Sequence, residues 1–235
     1  MSSAASSRAF VRAGTRLGPV ALVPEIRLHQ AGDPISLWQR TEVSAGRTGL
    51  DPPFWAFAWA GGQALARFLL DRPETVRGRI VIDVASGSGL VAIAAARAGA
   101  AAVTAYDIDP LAAAAIEVNA AANGVTVHAF CADVLDQEDL PTTGTGVVLV
   151  ADAFYQRELA ARVMGFAGRG RARGAGVLVG DFGRAYLPRG RLVPLASYDV
   201  PDQDVLEDRA VKRTTVWAWP GPGRRVLLTG RTGRS

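Results

Sequence analysis

One short segment constrains this chain more than any other. The apolar run Arg79-Ile80-Val81-Ile82-Asp83-Val84 passes directly into Ala85-Ser86-Gly87-Ser88-Gly89, and then into an alanine-rich stretch that reaches Ala98. The first part reads as a buried strand and the last as a helix from Gly89 to Ala98, ended by Gly99. Small residues between them let backbone N–H groups come close to a ligand at a helix N-terminus, where unpaired donors and the helix dipole favour it. A tight turn in any α/β protein would read the same way, so this segment fixes a fold class before it fixes a ligand.

The surrounding sequence repeats the alternation. Ala102 to Tyr106 is a second strand, and Pro110 to Ala122 is a helix with proline suitably placed in its first turn. Asn123-Gly124 closes that helix, Val125 to Phe130 is a third strand, and Val147 to Val150 a fourth. Gln156 to Ala167 reads as a helix and Val177 to Val179 as a fifth strand, which implies a parallel sheet with helices on both faces. Leu192 to Val200 and Val211 to Trp219 are strand-like and fit an antiparallel hairpin at the sheet edge. The acidic stretch from Asp202 to Asp208 reads as helical, and Val226-Leu227-Leu228 as a further strand in a flexible tail, residues 221–235. Arg169, Arg171 and Arg173 lie among glycines and read as a flexible loop.

Residues 1–52 read as an N-terminal arm. Glu25 to His29 alternates, Leu37 to Arg40 begins a helix, and Asp51-Pro52-Pro53 punctuates the end. From Gly62 to Leu70, Ala64, Leu65, Phe68 and Leu69 share one helical face. The formal net charge of +4 invites a polyanionic partner. All the basic residues except Lys212 are arginines, however, and they are scattered, which argues against nucleic acid. No stretch is long and apolar enough for a membrane span. Cys131 is the only cysteine, so neither an internal disulfide nor a cysteine metal cluster is expected, and no metal site is assigned. A reducing compartment follows, the cytoplasm. Arg8, Arg12 and Arg16 recur at helical spacing with no acidic residue before Glu25, which resembles a mitochondrial presequence, but an ordinary N-terminal arm is the preferred reading; in a eukaryotic host the mitochondrial matrix is the counterpart compartment.

Gly87-Ser88-Gly89-Leu90-Val91-Ala92 satisfies the dinucleotide pattern G-x-G-x-x-A, so a nicotinamide cofactor competes with S-adenosylmethionine for this turn. Asp107 ends the second strand and can accept hydrogen bonds from ribose hydroxyls in either case. Asp83 separates the two. A carboxylate there faces the ammonium of S-adenosylmethionine but would repel a pyrophosphate. Asp133 follows the third strand, placed for the adenine amino group, and Ile108 can cover the adenine face. Only His29, His128 and Lys212 are at hand for hydride chemistry. S-adenosylmethionine is therefore the expected cofactor, held by Asp83, Ser86, Gly87, Gly89, Asp107, Ile108 and Asp133.

Asp83 to Gly89, Asp107-Ile-Asp-Pro110 and Asn119-Ala-Ala-Ala-Asn123-Gly124 resemble the class I, seven-stranded methyltransferases. More narrowly, Val23-Pro-Glu-Ile-Arg-Leu28, Pro53-Phe-Trp-Ala-Phe-Ala-Trp-Ala-Gly-Gly-Gln63, Asp152-Ala-Phe-Tyr155 and Arg213-Thr-Thr-Val-Trp217 resemble the lysine methyltransferases of the electron transfer flavoprotein β subunit. The resemblance covers Phe10 to Trp219, nearly the whole chain. It implies a Rossmann-like, doubly wound, mainly parallel seven-stranded sheet with an antiparallel edge strand and an N-terminal extension. The methyltransferase domain would span residues 53–220. Ala85 departs from the glycine of many class I enzymes, which is tolerable if its φ is negative.

The resemblance also implies site roles. Trp59 would lie over the cofactor pocket, although a core tryptophan at a helix start reads the same. Asp152 and Tyr155 would meet the methyl acceptor. Asp stands where the related amide and amino methyltransferases carry Asn-Pro-Pro-Tyr, which suits a cationic amine. Tyr155, with Phe54 or Trp55, would offer aromatic faces to the cation, while Phe154 reads as core. The implied activity is protein-lysine N-methylation with the electron transfer flavoprotein β subunit as leading substrate. A small nitrogen compound or a ribosomal protein is the alternative acceptor, and a cofactor-binding module without activity the remote one.

Overall fold

A computed structural model describes residues 3–137, 146–201 and 211–220. Two short strands, β1 (Arg16–Pro19) and β2 (Arg27–Gln30), pair antiparallel as a separate hairpin. The main sheet contains β3 (Ile80–Val84), β4 (Ala102–Asp107), β5 (His128–Cys131), β6 (Val147–Ala151), β7 (Gly176–Asp181), β8 (Val193–Pro201) and β9 (Val211–Ala218). Their order across the sheet is β5-β4-β3-β6-β7-β9-β8. The first five are parallel, whereas β9 runs against both β7 and β8 and so stands one place in from the edge. The mainly parallel, seven-stranded sheet expected from the sequence is present. The expected helix over 202–208 and the tail 221–235 lie outside the described residues.

Both faces of the centre of the sheet are covered, which is why β3, β6 and β7 are nearly continuous apolar runs, whereas β5, β8 and β9 are more exposed and more polar. Successive residues still point to opposite sides. Val81, Val103 and Leu149 pack beneath Leu65, Phe68 and Ile93, while Ile82, Val84 and Val150 pack beneath Val163 and Phe166. The helices that supply these layers are α3 (Ala60–Asp71) and α4 (Leu90–Arg97) on one face and α6 (Arg157–Ala172) on the other. Helix α5 (Pro110–Ala122) starts on proline, with Asp109 accepting from the Leu111 N–H at 2.8 Å as its cap.

The N-terminal segment is more helical than its short elements suggested. Both α1 (Ser3–Gly14) and α2 (Pro34–Ala45) join a third cluster in which Val11 and Leu37 meet Trp55, Ala112 and Ala115. Arg8 reaches Glu117 on α5 at 2.8 Å. The third strand begins at His128 rather than Val125. The loop expected around Arg169 and Arg171 is instead the end of α6. Gly168 lies within the helix and faces the Trp219 ring, where a Cβ would stand at 3.4 Å, an ordinary contact distance. Arg171 bonds the Ala175 carbonyl at 2.9 Å and Arg169 the Leu135 carbonyl, a favourable place for cations at a helix C-terminus.

The chain runs outward from β3 to β4 to β5 and then returns, placing β6 on the opposite flank of β3. Ligands in open α/β sheets bind at such a reversal, beyond the carboxyl ends of the strands. Among the described residues no helix is long and apolar enough to cross a membrane.

Candidate active site

At that carboxyl edge, four adjacent strands each carry an aspartate. Asp107 ends β4, Asp83 stands next to last in β3, Asp152 follows β6 and Asp181 ends β7. Each carboxylate holds a neighbouring backbone segment in place.

Asp83 is 1% exposed and accepts from Ser86 Oγ at 2.5 Å and from the Ala92 N–H at 3.2 Å. The Ala92 donor belongs to the first turn of α4, whose own cap, Gly89, has no side chain to satisfy it. Burial pushes the Asp83 carboxyl up to about 7, against the pull of these bonds. Asp107 accepts from the Gly87 N–H at 2.9 Å and the Asp109 N–H at 3.0 Å, tying the glycine turn to the end of β4. Burial raises its carboxyl, and the backbone donors oppose the rise.

Three left-handed residues shape the turn: Ala85 at φ 52°, Gly87 at 54° and Gly89 at 80°. The negative φ expected of Ala85 is therefore not what the turn uses, and a non-glycine residue held there is strained by roughly 1–2 kcal/mol. Gly89 is required twice over. A Cβ on it would also come within 3.1 Å of Ile116 on α5.

On the other side of β3, Asp152 is a second left-handed residue outside the glycines, at φ 58°. Its Oδ2 accepts from the Gly62 N–H at 2.7 Å, and the Gly61 N–H also bonds this carboxylate. Those donors lie in the first turn of α3, which has no side-chain cap of its own. The other oxygen, Oδ1, is bonded by Arg184 Nη1, which also meets Asp181 Oδ2 at 3.2 Å. Asp181 in turn accepts from the Gly183 N–H at 2.6 Å and the Arg184 N–H at 2.7 Å. A Cβ on Gly61 would strike the Gly180 carbonyl and the Asp152 carboxylate, so helix and strand meet here backbone to backbone. Burial raises the Asp152 carboxyl, while Arg184 and the α3 donors pull it back.

These groups open on one cavity of about 440 Å³, inside the roughly 300–1,000 Å³ typical of small-molecule sites. Asp83, Ser86, Gly87, Asp107 and Ile108 line one part of it. Trp59, Asp133, Asp152 and Tyr155 line the rest, whereas Gly89 lies behind the wall. Trp59 is half-buried, donates to the Phe54 carbonyl at 2.9 Å and is not the core tryptophan. That place belongs to Trp55, 1% exposed, whose Nε1 has no partner among the described residues. Phe54 sits 5.9 Å, ring to ring, from both Trp59 and Tyr155, forming an aromatic rim. Phe154 is fully buried, as the sequence suggested. Asp133 is bridged to Arg162 at 2.9 Å, an exposed pair of modest strength.

Sequence reasoning missed Asp181 and Arg184. An aspartate closing an apolar strand, as Asp107 does, was the available signal.

The wall suits a cationic small molecule. Asp83 and Asp107 carry hydroxyl and backbone donors but no side-chain cation among the described residues. Arg162 and Arg184, also in the wall, are both paired with carboxylates. S-adenosylmethionine brings a sulfonium and an ammonium against one carboxylate, so it meets this charge favourably, and a pyrophosphate would not.

A family model described as ribosomal protein L11 methyltransferase matches residues 64–156. Over 223 residues the chain is 37% identical to the electron transfer flavoprotein beta subunit lysine methyltransferase of Xenopus laevis, covering 92% of this chain and 88% of that protein. The Homo sapiens protein of the same description is 32% identical over 224 residues, covering 90% of this chain and 81% of its own length. Among solved structures, the T. thermophilus 16S rRNA N2 G1207 methyltransferase in complex with AdoMet and guanosine superposes with a TM-score of 0.56. It is 18% identical and covers 88% of this chain and 50% of that one, a likeness of fold.

Proposed function

The chain belongs to the electron transfer flavoprotein β-subunit lysine methyltransferase family, and from that membership we propose that its substrate is the electron transfer flavoprotein β subunit of its own host. The protein is a protein-lysine methyltransferase and its cofactor is S-adenosylmethionine. Extent carries the substrate reading. Similarity to the flavoprotein methyltransferases runs through 92% of the chain, whereas the match to the ribosomal L11 model stops at residue 156. A ribosomal protein substrate thus has support mainly on the cofactor side.

In this reading Asp107 takes the ribose hydroxyls and Asp83 the ammonium, with Ser86 and the Gly87 turn closing on the amino-acid end. Ile108 and Asp133 flank adenine, Asp133 exchanging part of its exposed Arg162 pair for the adenine amino group. Trp59 covers the methionine side, and Gly89 sets the start of α4. When bound, the cofactor supplies a methyl group whose bond to sulfur breaks as the lysine nitrogen's lone pair forms the new N–C bond. Asp152 orients the amine by accepting its N–H, and Phe54 and Tyr155 present aromatic faces to the cation as it approaches. The ammonium first loses its proton to water at the cavity mouth. Positioning is the main contribution of the chain, because aligned reactants already remove much of the barrier. The exposed thiol of Cys131 supports a reducing compartment, the cytoplasm or, in a eukaryotic host, the mitochondrial matrix.

The test is direct. Purified enzyme is incubated with methyl-labelled cofactor and purified β subunit, alongside ribosomal proteins and small amines. Label on a lysine of the β subunit is the expected result. Label on ribosomal protein or free amine alone would overturn the substrate assignment.

A further inference from the structure

Arg184 sends its guanidinium into the acceptor half of the cavity. Its side chain is 14% exposed, and Nη1 serves Asp152 and Asp181 together. Nε and Nη2 make no hydrogen bond among the described residues. The guanidinium carbon lies 4.3 Å from the centre of the Phe182 ring. Asp181 holds the Arg184 backbone as well as its tip, so this arginine has little freedom to point elsewhere.

That arrangement bears on a difficulty in methylating lysine. An aspartate close to the incoming side chain orients it, but its negative charge also stabilises the ammonium, which has no lone pair to offer. A neighbouring cation reverses the second effect without removing the first. The groups around Asp152 are the Gly61 and Gly62 N–H donors from α3, Arg184 and Asp181 from the end of β7, Tyr155 from its own segment, and Asp83 from β3. Arg184 is the cation that acts on Asp152, and Lys212 from β9 lies over the same Phe182 ring at 5.3 Å.

We propose that Arg184 is a positioning residue of methyl transfer: it aims the Asp152 carboxylate and neutralises it, so that the incoming lysine meets a hydrogen-bond acceptor rather than a bare anion. The proposal rests on the reading that Asp152 faces the acceptor lysine. Arg184 need not touch the substrate.

The wild type, Arg184→Met and Arg184→Lys are compared for methylation of the purified β subunit from about pH 6 to about pH 10. Affinity for S-adenosylhomocysteine is measured on each by calorimetry. Arg184→Met should lose on the order of tenfold in kcat/KM near neutral pH and recover toward wild type at alkaline pH, because the lysine now holds its proton more tightly. Arg184→Lys keeps the charge and should keep the wild-type rise with pH, even with a lower maximum. Product affinity should be similar in all three. A loss in Arg184→Met that is equal at every pH, or no loss, would mean a merely structural arginine and overturn the proposal. Should Arg184→Met fail to fold, Arg184→Lys decides alone, since a displaced pH rise in a variant that retains the charge is equally fatal. If the wild type labels another protein or amine instead of the β subunit, the substrate reading fails, and the same comparison on that acceptor still decides the role of Arg184.

Discussion

Asp83 and Asp107, on β3 and β4, accept hydrogen bonds from a hydroxyl and from backbone N–H groups, and no side-chain cation of the described residues is attached to them. Asp152 and Asp181, on β6 and β7, do the same work of capping a helix and a turn but share one guanidinium. The same device is thus completed in two ways. On the proposed reading, the β3–β4 half keeps its carboxylates free of side-chain cations among the described residues, for a cationic ligand. The β6–β7 half has neutralised itself and offers mainly geometry. Ligand affinity should therefore reside in the first half and rate in the second.

The strongest way to break that division is a mirrored pair of substitutions. Asp152→Asn keeps an acceptor for the Gly62 N–H but puts an amide NH2 where the other carboxylate oxygen meets Arg184, so the acceptor offered to the amine is lost. It should lower methyl transfer about 100-fold by misaligning the amine, with cofactor affinity nearly unchanged. Asp107→Ala should do the reverse, weakening cofactor binding by roughly 1.5–3 kcal/mol through lost charge-assisted hydrogen bonds. Steady-state kinetics and calorimetry on both proteins check the pair. If Asp152→Asn loses affinity and keeps its rate, the division is wrong.

A subtler effect should appear with pH. Burial sets the Asp83 carboxyl at about 7, against an ordinary value of 3.8. Below the ordinary value both folded and unfolded chains hold the proton, and this group contributes nothing to the pH slope. Between the two values the unfolded chain releases it first, so the ligand-free protein loses stability from this group as pH rises, and no more above about 7. A cationic ligand needs the ionised form and gives the opposite slope. Cofactor affinity should rise roughly tenfold per pH unit well below about 7, by about fivefold over the last unit before it, and then level off. Calorimetry with a flat affinity across that interval would remove Asp83 from the ammonium role.

The smallest effect lies in the turn between the halves. Ala85 holds φ 52°, so Ala85→Gly should relieve backbone strain at some expense in unfolded-chain entropy, for a net gain of about 0.5–1 kcal/mol. Thermal denaturation measures it, and a lower melting temperature would mean that the methyl group's contacts matter more than its φ.

How much of this was legible follows the same division. The β3–β4 half is local in sequence: Asp83 bonds a donor nine residues on, and Asp107 one twenty residues back. Its residue types and spacing announced the strand–turn–helix and the buried carboxylate at its start. Asp152 bonds Gly62, ninety residues away, and Arg184, thirty-two away. No local pattern encodes such contacts, and an arginine after a glycine turn reads as a solvated one. Trp55 and Trp59 show the limit at close range. Both were visible in one aromatic motif, but packing against α1, α2 and α5 decides which is core.

The reversed strand β9 has a consequence for how this protein is made. It lies between β7 and β8 although it follows both in sequence. While the ribosome is still adding β8, that strand's native partner β9 does not yet exist, and β7 exposes its unpaired backbone until residue 218 has emerged. The cofactor-side strands can assemble early; the sheet cannot close until nearly the whole chain is out. A nascent chain stalled between β7 and β9 would present an open parallel edge, the surface on which strands from other molecules add.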